Sequence, residues 1–174
     1  GEYRHSGGVR VGLSLGGGGT GNRFARNQDA TIEHTDGIIR NNIIMYCKDA
    51  GIYLNKSAGT AIYNNLLYRT MGIDVRFPES SAVIENNLLT SRVKNRDGGR
   101  SELSNNMILK KNWPDPWLDN WFRRPRRADF SVKDVRVLVD KGKPMSGLAD
   151  DFCGNRRDQY PDIGPFEYNQ TSLC

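Results

Sequence analysis

Histidine and cysteine are scarce: two histidines, His5 and His34, and three cysteines, Cys47, Cys153 and Cys174, stand among 174 residues. No Cys/His spacing matches a zinc site, which argues against a structural metal of that kind. Cys47 lies in the aliphatic stretch Ile-Ile-Met-Tyr-Cys and reads as a small buried hydrophobe. Cys153 and Cys174 can pair, and the odd count leaves one thiol over. No apolar run approaches the length of a membrane span, and no signal peptide is visible. The glycine run Gly16–Gly19 is not followed by Lys-Ser/Thr or by a helical pattern, so it is not a phosphate loop. Helical periodicity is missing throughout.

What is present is a repeat. Asn-Asn returns four times between aliphatic residues, in IIRNNIIM, AIYNNLLY, VIENNLLT and ELSNNMIL. The first asparagines are Asn41, Asn64, Asn86 and Asn105, which gives steps of 23, 22 and 19 residues. A period near 20 marks a solenoid, whose single coils cannot bury their apolar face alone. Ile39, Ile62, Ile84 and Leu103 fall in register and are expected to stack inside, whereas Arg40, Tyr63, Glu85 and Ser104 beside them vary in chemistry and are expected outside. Asparagine suits the turn because its amide tolerates the left-handed region and can bond a nearby backbone group. In stacked coils equivalent asparagines can also bond one another as a ladder.

A second motif keeps phase with the first: Gly12-Leu-Ser-Leu15, Gly51-Ile-Tyr-Leu54 and Gly72-Ile-Asp-Val75. Each is apolar, polar, apolar after a glycine, the period of a strand with one buried face. Two strands per coil of about 20 residues predict a β-solenoid. The rival is a leucine-rich repeat, but its leucine spacing is missing. The composition agrees, since 37 % hydrophobic residues with 19 glycines suit a narrow solenoid with many turns. The formal charge of +5 suits an acidic partner, whether polysaccharide, nucleic acid or an anionic surface, and equally a merely soluble one.

The Asn-Asn coils, with GIYLN and GIDVRF, resemble right-handed parallel β-helix proteins of the pectate-lyase-like superfamily. The stretch Asp158 to Tyr168, preceded by Asp151-Phe-Cys-Gly154, resembles the closing segment of many secreted bacterial members. The resemblance implies an all-β right-handed parallel β-helix with a C-terminal cap, secreted or periplasmic and bacterial. The expected divisions are coils over 1–112 with a projecting loop near 16–35, a Trp/Arg-rich connection over 113–128, and a capping segment over 129–174. In the connection, Trp113, Trp117, Trp121 and Phe122 are expected to pack on the side of the helix while the arginines stay wet, and nucleic-acid binding is the less favoured reading. The chain opens on Gly1 in mid-pattern, so it reads as a mature or truncated product whose N-terminal coil edge would be covered by a missing segment or a partner.

The outward residues of the glycine-led strands form a column, Ser14, Tyr53 and Asp74, with Asn55-Lys56 and Arg76-Phe77 just beyond. Glu33-His34 in the long loop and the nearby Arg40 are expected to adjoin it. The resemblance implies carbohydrate-active chemistry, and a polysaccharide lyase on uronates needs a cation for the carboxylate, a base for the C5 proton and an acid for the leaving oxygen. Arg76 is assigned the first role, Lys56 the second, and Tyr53 or His34 the third, with Asp74, Asn55 and Arg40 contacting substrate. Calcium is a candidate cofactor through Asp74 with Asn55. No fuller motif of the pectate, alginate or chondroitin lyases is present, so no residue is assigned by motif. A non-catalytic structural, adhesive or glycan-binding β-helix is the alternative.

Overall fold

Each coil of the chain turns through three main strands, joined in the first two coils by a short fourth, and the next coil repeats them one strand spacing further along. The computed structural model describes residues 11–109, 120–133, 136–168 and 174. The first rung holds β1 (Val11–Gly16), β2 (His34–Thr35), β3 (Ile38–Arg40) and β4 (Ile43–Met45). The second holds β5 (Ala50–Asn55), β6 (Ser57–Ala58), β7 (Thr60–Tyr63) and β8 (Leu66–Tyr68). The third is β9 (Ile73–Arg76), β10 (Ser81–Glu85) and β11 (Leu88–Leu89), and the fourth β12 (Val93–Arg96), β13 (Arg100–Ser104) and β14 (Met107–Ile108). They stack as three four-stranded parallel sheets, β1-β5-β9-β12, β3-β7-β10-β13 and β4-β8-β11-β14, with β2 and β6 as a short parallel pair. The expected two strands per coil are corrected to three, with a fourth in each of the first two coils. The residues after each Asn-Asn form a sheet of their own, because the asparagine pair is a corner between two strands.

The asparagine pair divides its labour. The first asparagine of every pair takes the left-handed backbone, at φ of 53° for Asn41, 51° for Asn64, 57° for Asn86 and 52° for Asn105. Asparagine accepts this conformation more readily than most side chains. The second asparagine points inward and makes the ladder. The Nδ2 of Asn42 donates to Oδ1 of Asn65 at 3.0 Å, Asn65 to Asn87 at 2.9 Å, and Asn87 to Asn106 at 2.8 Å. The same amides also donate to strand carbonyls, so the corner backbone is satisfied inside the coil.

Inside the coils, Ile39, Ile62 and Ile84 stack with Ile52, Leu54, Ile73, Val75, Leu67 and Leu89. Leu103 keeps the predicted register with Ile84 but is 48 % exposed, because it lies on the last described rung. Gly51 sits where a Cβ would come within 2.7 Å of the Leu67 side chain, which explains a glycine ahead of its strand.

A second core lies outside the coils. Leu66, Tyr68 and Leu88 face outward from the third sheet against Trp121, Phe122, Phe130, Leu138, Ile163 and Phe166. Tyr68 meets Phe130 edge-on at 5.9 Å, and Phe130 meets Phe122 at 5.4 Å. This sheet is covered on both faces, so its strands carry consecutive aliphatics rather than an alternation. The C-terminal segment therefore shields the coils along their flank. It includes an antiparallel hairpin of β15 (Phe122–Arg124) and β16 (Asp129–Val132), which crosses the expected 128/129 division. Trp121 and Phe122 are buried and Arg123, Arg124, Arg126 and Arg127 exposed, as expected of a connection packed on the side; Trp113 and Trp117 lie outside the described residues. So does the N-terminal edge over residues 1–10.

The outer asparagines fasten this segment. Asn41 Nδ2 donates to the Asp150 carbonyl, Asn64 to those of Asp162 and Gly164, Asn86 to Lys143 and Asn105 to Lys141, all between 2.7 and 3.1 Å. The segment carries the disulfide Cys153–Cys174, so Cys47 is the free thiol. Beside Asn41 the buried Arg157 donates to Glu167, to the carbonyls of Asp150, Asp162 and Gly164, and to Asn41 Oδ1.

On the second sheet, Glu85 accepts from Ser104 Oγ at 2.5 Å and from Lys143 Nζ at 3.0 Å. These bonds, Ser104 first, hold its carboxyl below the ordinary range. A depressed folded value contributes stability above the unfolded pKa and loses it as pH falls through the folded one. Glu85→Gln is accordingly expected to flatten the acid side of the stability profile, from about pH 5 downward. Urea midpoints measured across that range check it; a variant as acid-sensitive as the parent would remove Glu85 from this role.

Candidate functional site

The outward face of the first sheet gathers the largest group of the expected residues. Strand register sets Tyr53 beside Asp74 and Asn55 beside Arg76, since neighbouring coils repeat at roughly 4.8 Å. It continues to β12, where Lys94 pairs with Asp74 and Arg96 with Arg76. Lys94 and Arg96 escaped the sequence reading because Val93-Lys-Asn-Arg96 follows Arg92, without the glycine that marked the other strands. Its apolar-polar alternation, twenty residues past Ile73, was the signal available.

The face is a web of charge-assisted bonds. Arg96 holds Asp74, with Nε 3.0 Å from both carboxylate oxygens and Nη2 2.7 Å from Oδ2. Arg76 Nε donates to Asp97 Oδ2 at 2.5 Å, and its guanidinium stacks 4.5 Å over the Phe77 ring. Bonding to Asp97, then to the Tyr53 hydroxyl, pushes the Arg76 guanidinium up from its ordinary value; bonding to Asp74 does the same for Arg96. Asn55 Nδ2 donates to the Tyr53 hydroxyl at 3.0 Å. Tyr53 is thus oriented between an amide and a guanidinium.

Lys56 and His34 meet at one corner of this face. Lys56 follows β5 with φ of 55°, and its carbonyl accepts from the backbone amides of Glu33 at 2.8 Å and His34 at 3.3 Å. His34 lies on β2, paired with Ser57 on β6. Its Nδ1 is enclosed beside Gly37 without a hydrogen-bond partner. The expected loop is present between β1 and β2, carrying two short 3-10 turns, Asn22–Phe24 and Arg26–Gln28.

Arg40 does not join the patch. It points outward from the second sheet, in register with Tyr63, and is held by Asp150 Oδ1 at 2.5 Å. Nearness in sequence to the loop misplaced it, because a solenoid corner separates the two. The donors proposed for calcium are also engaged elsewhere: both oxygens of Asp74 face Arg96, and the Asn55 amide serves Tyr53. That pair does not make the oxygen cage calcium needs. Among the described residues no cluster of three or more His, Cys, Asp or Glu could hold a metal.

Among the described residues no helix is long and apolar enough to cross a membrane. Comparison with family models matches residues 3–89 to the right handed beta helix region family. No curated protein matches the sequence.

Proposed function

The chain belongs to the right-handed β-helix family, and from that premise we propose that it is a carbohydrate-active protein whose first-sheet face takes an acidic polysaccharide. The observation carrying this reading is the single outward surface that joins Arg76, Lys94 and Arg96 to Tyr53 and Asn55 over three successive coils. Guanidinium groups pair with carboxylates in fixed fork geometry, and a uronate chain presents carboxylates in series. Asp97 and Asp74 hold the arginine forks and yield them to the glycan carboxylates.

The reaction this set suits is β-elimination. Arg76 neutralises the uronate carboxylate, which makes the C5 proton acidic. Lys56 takes that proton as the C4=C5 double bond forms and the C4–O4 bond breaks. Tyr53, or His34 from the corner, gives a proton to the leaving oxygen. The engagement of Arg76 and Arg96 with carboxylates favours a second reading, a non-catalytic glycan-binding module. A secreted or periplasmic location accompanies either reading, supported by the Cys153–Cys174 disulfide.

The test is ultraviolet absorbance of newly formed unsaturated uronate on alginate, pectate and chondroitin, with calcium and with chelator. Turnover on one polymer, lost in Lys56→Ala and in Arg76→Ala while the fold persists, is the expected result. Salt-sensitive retention on that polymer without product moves the assignment to the binding module. Neither retention nor product sinks the glycan reading.

A further inference from the structure

The loop between β1 and β2 is a built structure with a hollow in it. The Gly18 amide donates to Glu33 Oε2 at 2.9 Å, the Ala30 amide to Asn22 Oδ1 at 3.1 Å, and the Thr31 amide to Asp29 Oδ1 at 2.8 Å. Together with the two 3-10 turns, these bonds shape the loop beside an open hollow of about 660 Å³. That lies inside the roughly 300–1,000 Å³ range of small-ligand sites.

Its lining has two characters. Phe24, 75 % exposed, and Ile32, 43 % exposed, offer apolar surface that the coils do not cover. Asn27, Asp29, Glu33 and His34 line the same hollow and supply donors and acceptors. His34 Nδ1 is enclosed beside Gly37 without a hydrogen-bond partner. A lining that combines apolar and hydrogen-bonding side chains suits a pyranose, which has an aliphatic C–H face and a polar rim.

Place decides what that ring is part of. The loop leaves β1 at Gly16, in the first described rung, and returns at β2 with its Glu33 and His34 amides bonded to Lys56. At Gly17 a Cβ would come within 3.2 Å of the Asn55 side chain, so the loop abuts the charged face directly. A chain laid across the coils from Arg96 past Arg76 reaches the loop at the Asn55–Lys56 corner. Resting on the glycan reading above, we propose that the loop cavity receives the terminal sugar ring of the polysaccharide. The face then reads the chain from its end rather than from its middle. Arg76 and Arg96 take the carboxylates of the units behind that ring.

Calorimetric titration with short and long fractions of alginate, polygalacturonate and chondroitin tests this. On the polymer that binds, the expected stoichiometry is one protein per chain, unchanged by chain length. Phe24→Ala, at an exposed position that spares the fold, is expected to weaken binding about tenfold. His34→Gln should weaken the short and the long fractions alike. Protein bound per chain rising with length, or a neutral Phe24→Ala, overturns the end pocket while leaving the acidic face standing. No binding to any fraction overturns both.

Discussion

Asn65→Leu is expected to destabilise the fold by roughly 3–5 kcal/mol, among the larger effects a single substitution can have. The side chain is fully buried and every polar atom of it is used. Its Nδ2 donates to the carbonyls of Ile39 and Tyr63 and to Asn87 Oδ1, and its Oδ1 accepts from the backbone and side-chain amides of Asn42. Leucine fills much the same volume but leaves these groups buried without partners, each a penalty of about 1–3 kcal/mol before relaxation. Asn106→Leu, half-buried on the last described rung, is the contrast. Among the described residues its ladder neighbour lies on one side only, and its Nδ2 serves the carbonyls of Ile84 and Ser104. A loss of about 1–2 kcal/mol is expected there. Urea denaturation of both variants measures the difference. Equal small losses would mean that water reaches the ladder, and that the aliphatic stack alone holds the coils.

The same asparagines show how much the sequence disclosed. Their period and the in-register Ile39, Ile62 and Ile84 were legible because solenoid coils repeat a local pattern at a fixed step. The two physical roles of asparagine were legible too, but not their division between the first and second member of each pair. That depends on which side of a corner each side chain leaves. The consecutive aliphatics of Leu66-Leu67 and Leu88-Leu89 broke the expected alternation because a distant segment covers their outer face, and no local window contains that segment. At the candidate site, Tyr53, Asn55, Asp74 and Arg76 were found through the glycine that introduces their strands. Arg96 and Lys94 lacked that marker. Arg40 was misassigned because proximity along the chain crosses a corner, and its partner Asp150 lies 110 residues away.

Arg157→Met is the second large effect, expected at about 3–5 kcal/mol. The guanidinium is 3 % exposed and its partner Glu167 1 %, so neither charge is hydrated. Five acceptors surround it: Glu167, the carbonyls of Asp150, Asp162 and Gly164, and Asn41 Oδ1. Asn41 belongs to the first rung and the others to the terminal segment, so Arg157 joins the two. Removing it strands the Glu167 carboxylate in the interior, where Oε1 already has no partner. Burial raises the Glu167 carboxyl even with Arg157 present, and raises Asp162 beside it. A raised folded carboxyl contributes stability below the unfolded pKa and loses it as pH rises through the folded value. Without the guanidinium Glu167 rises further, so the cost of Arg157→Met should be smallest in acid and grow toward neutral pH. Adding Glu167→Gln removes the stranded charge and keeps an acceptor for the Asp162 amide, so the double variant is expected to recover most of the loss. Urea midpoints of the four proteins at acid and neutral pH complete the cycle. A double variant no better than Arg157→Met alone, at every pH, would show that Arg157 acts through the carbonyls and Asn41 rather than through Glu167.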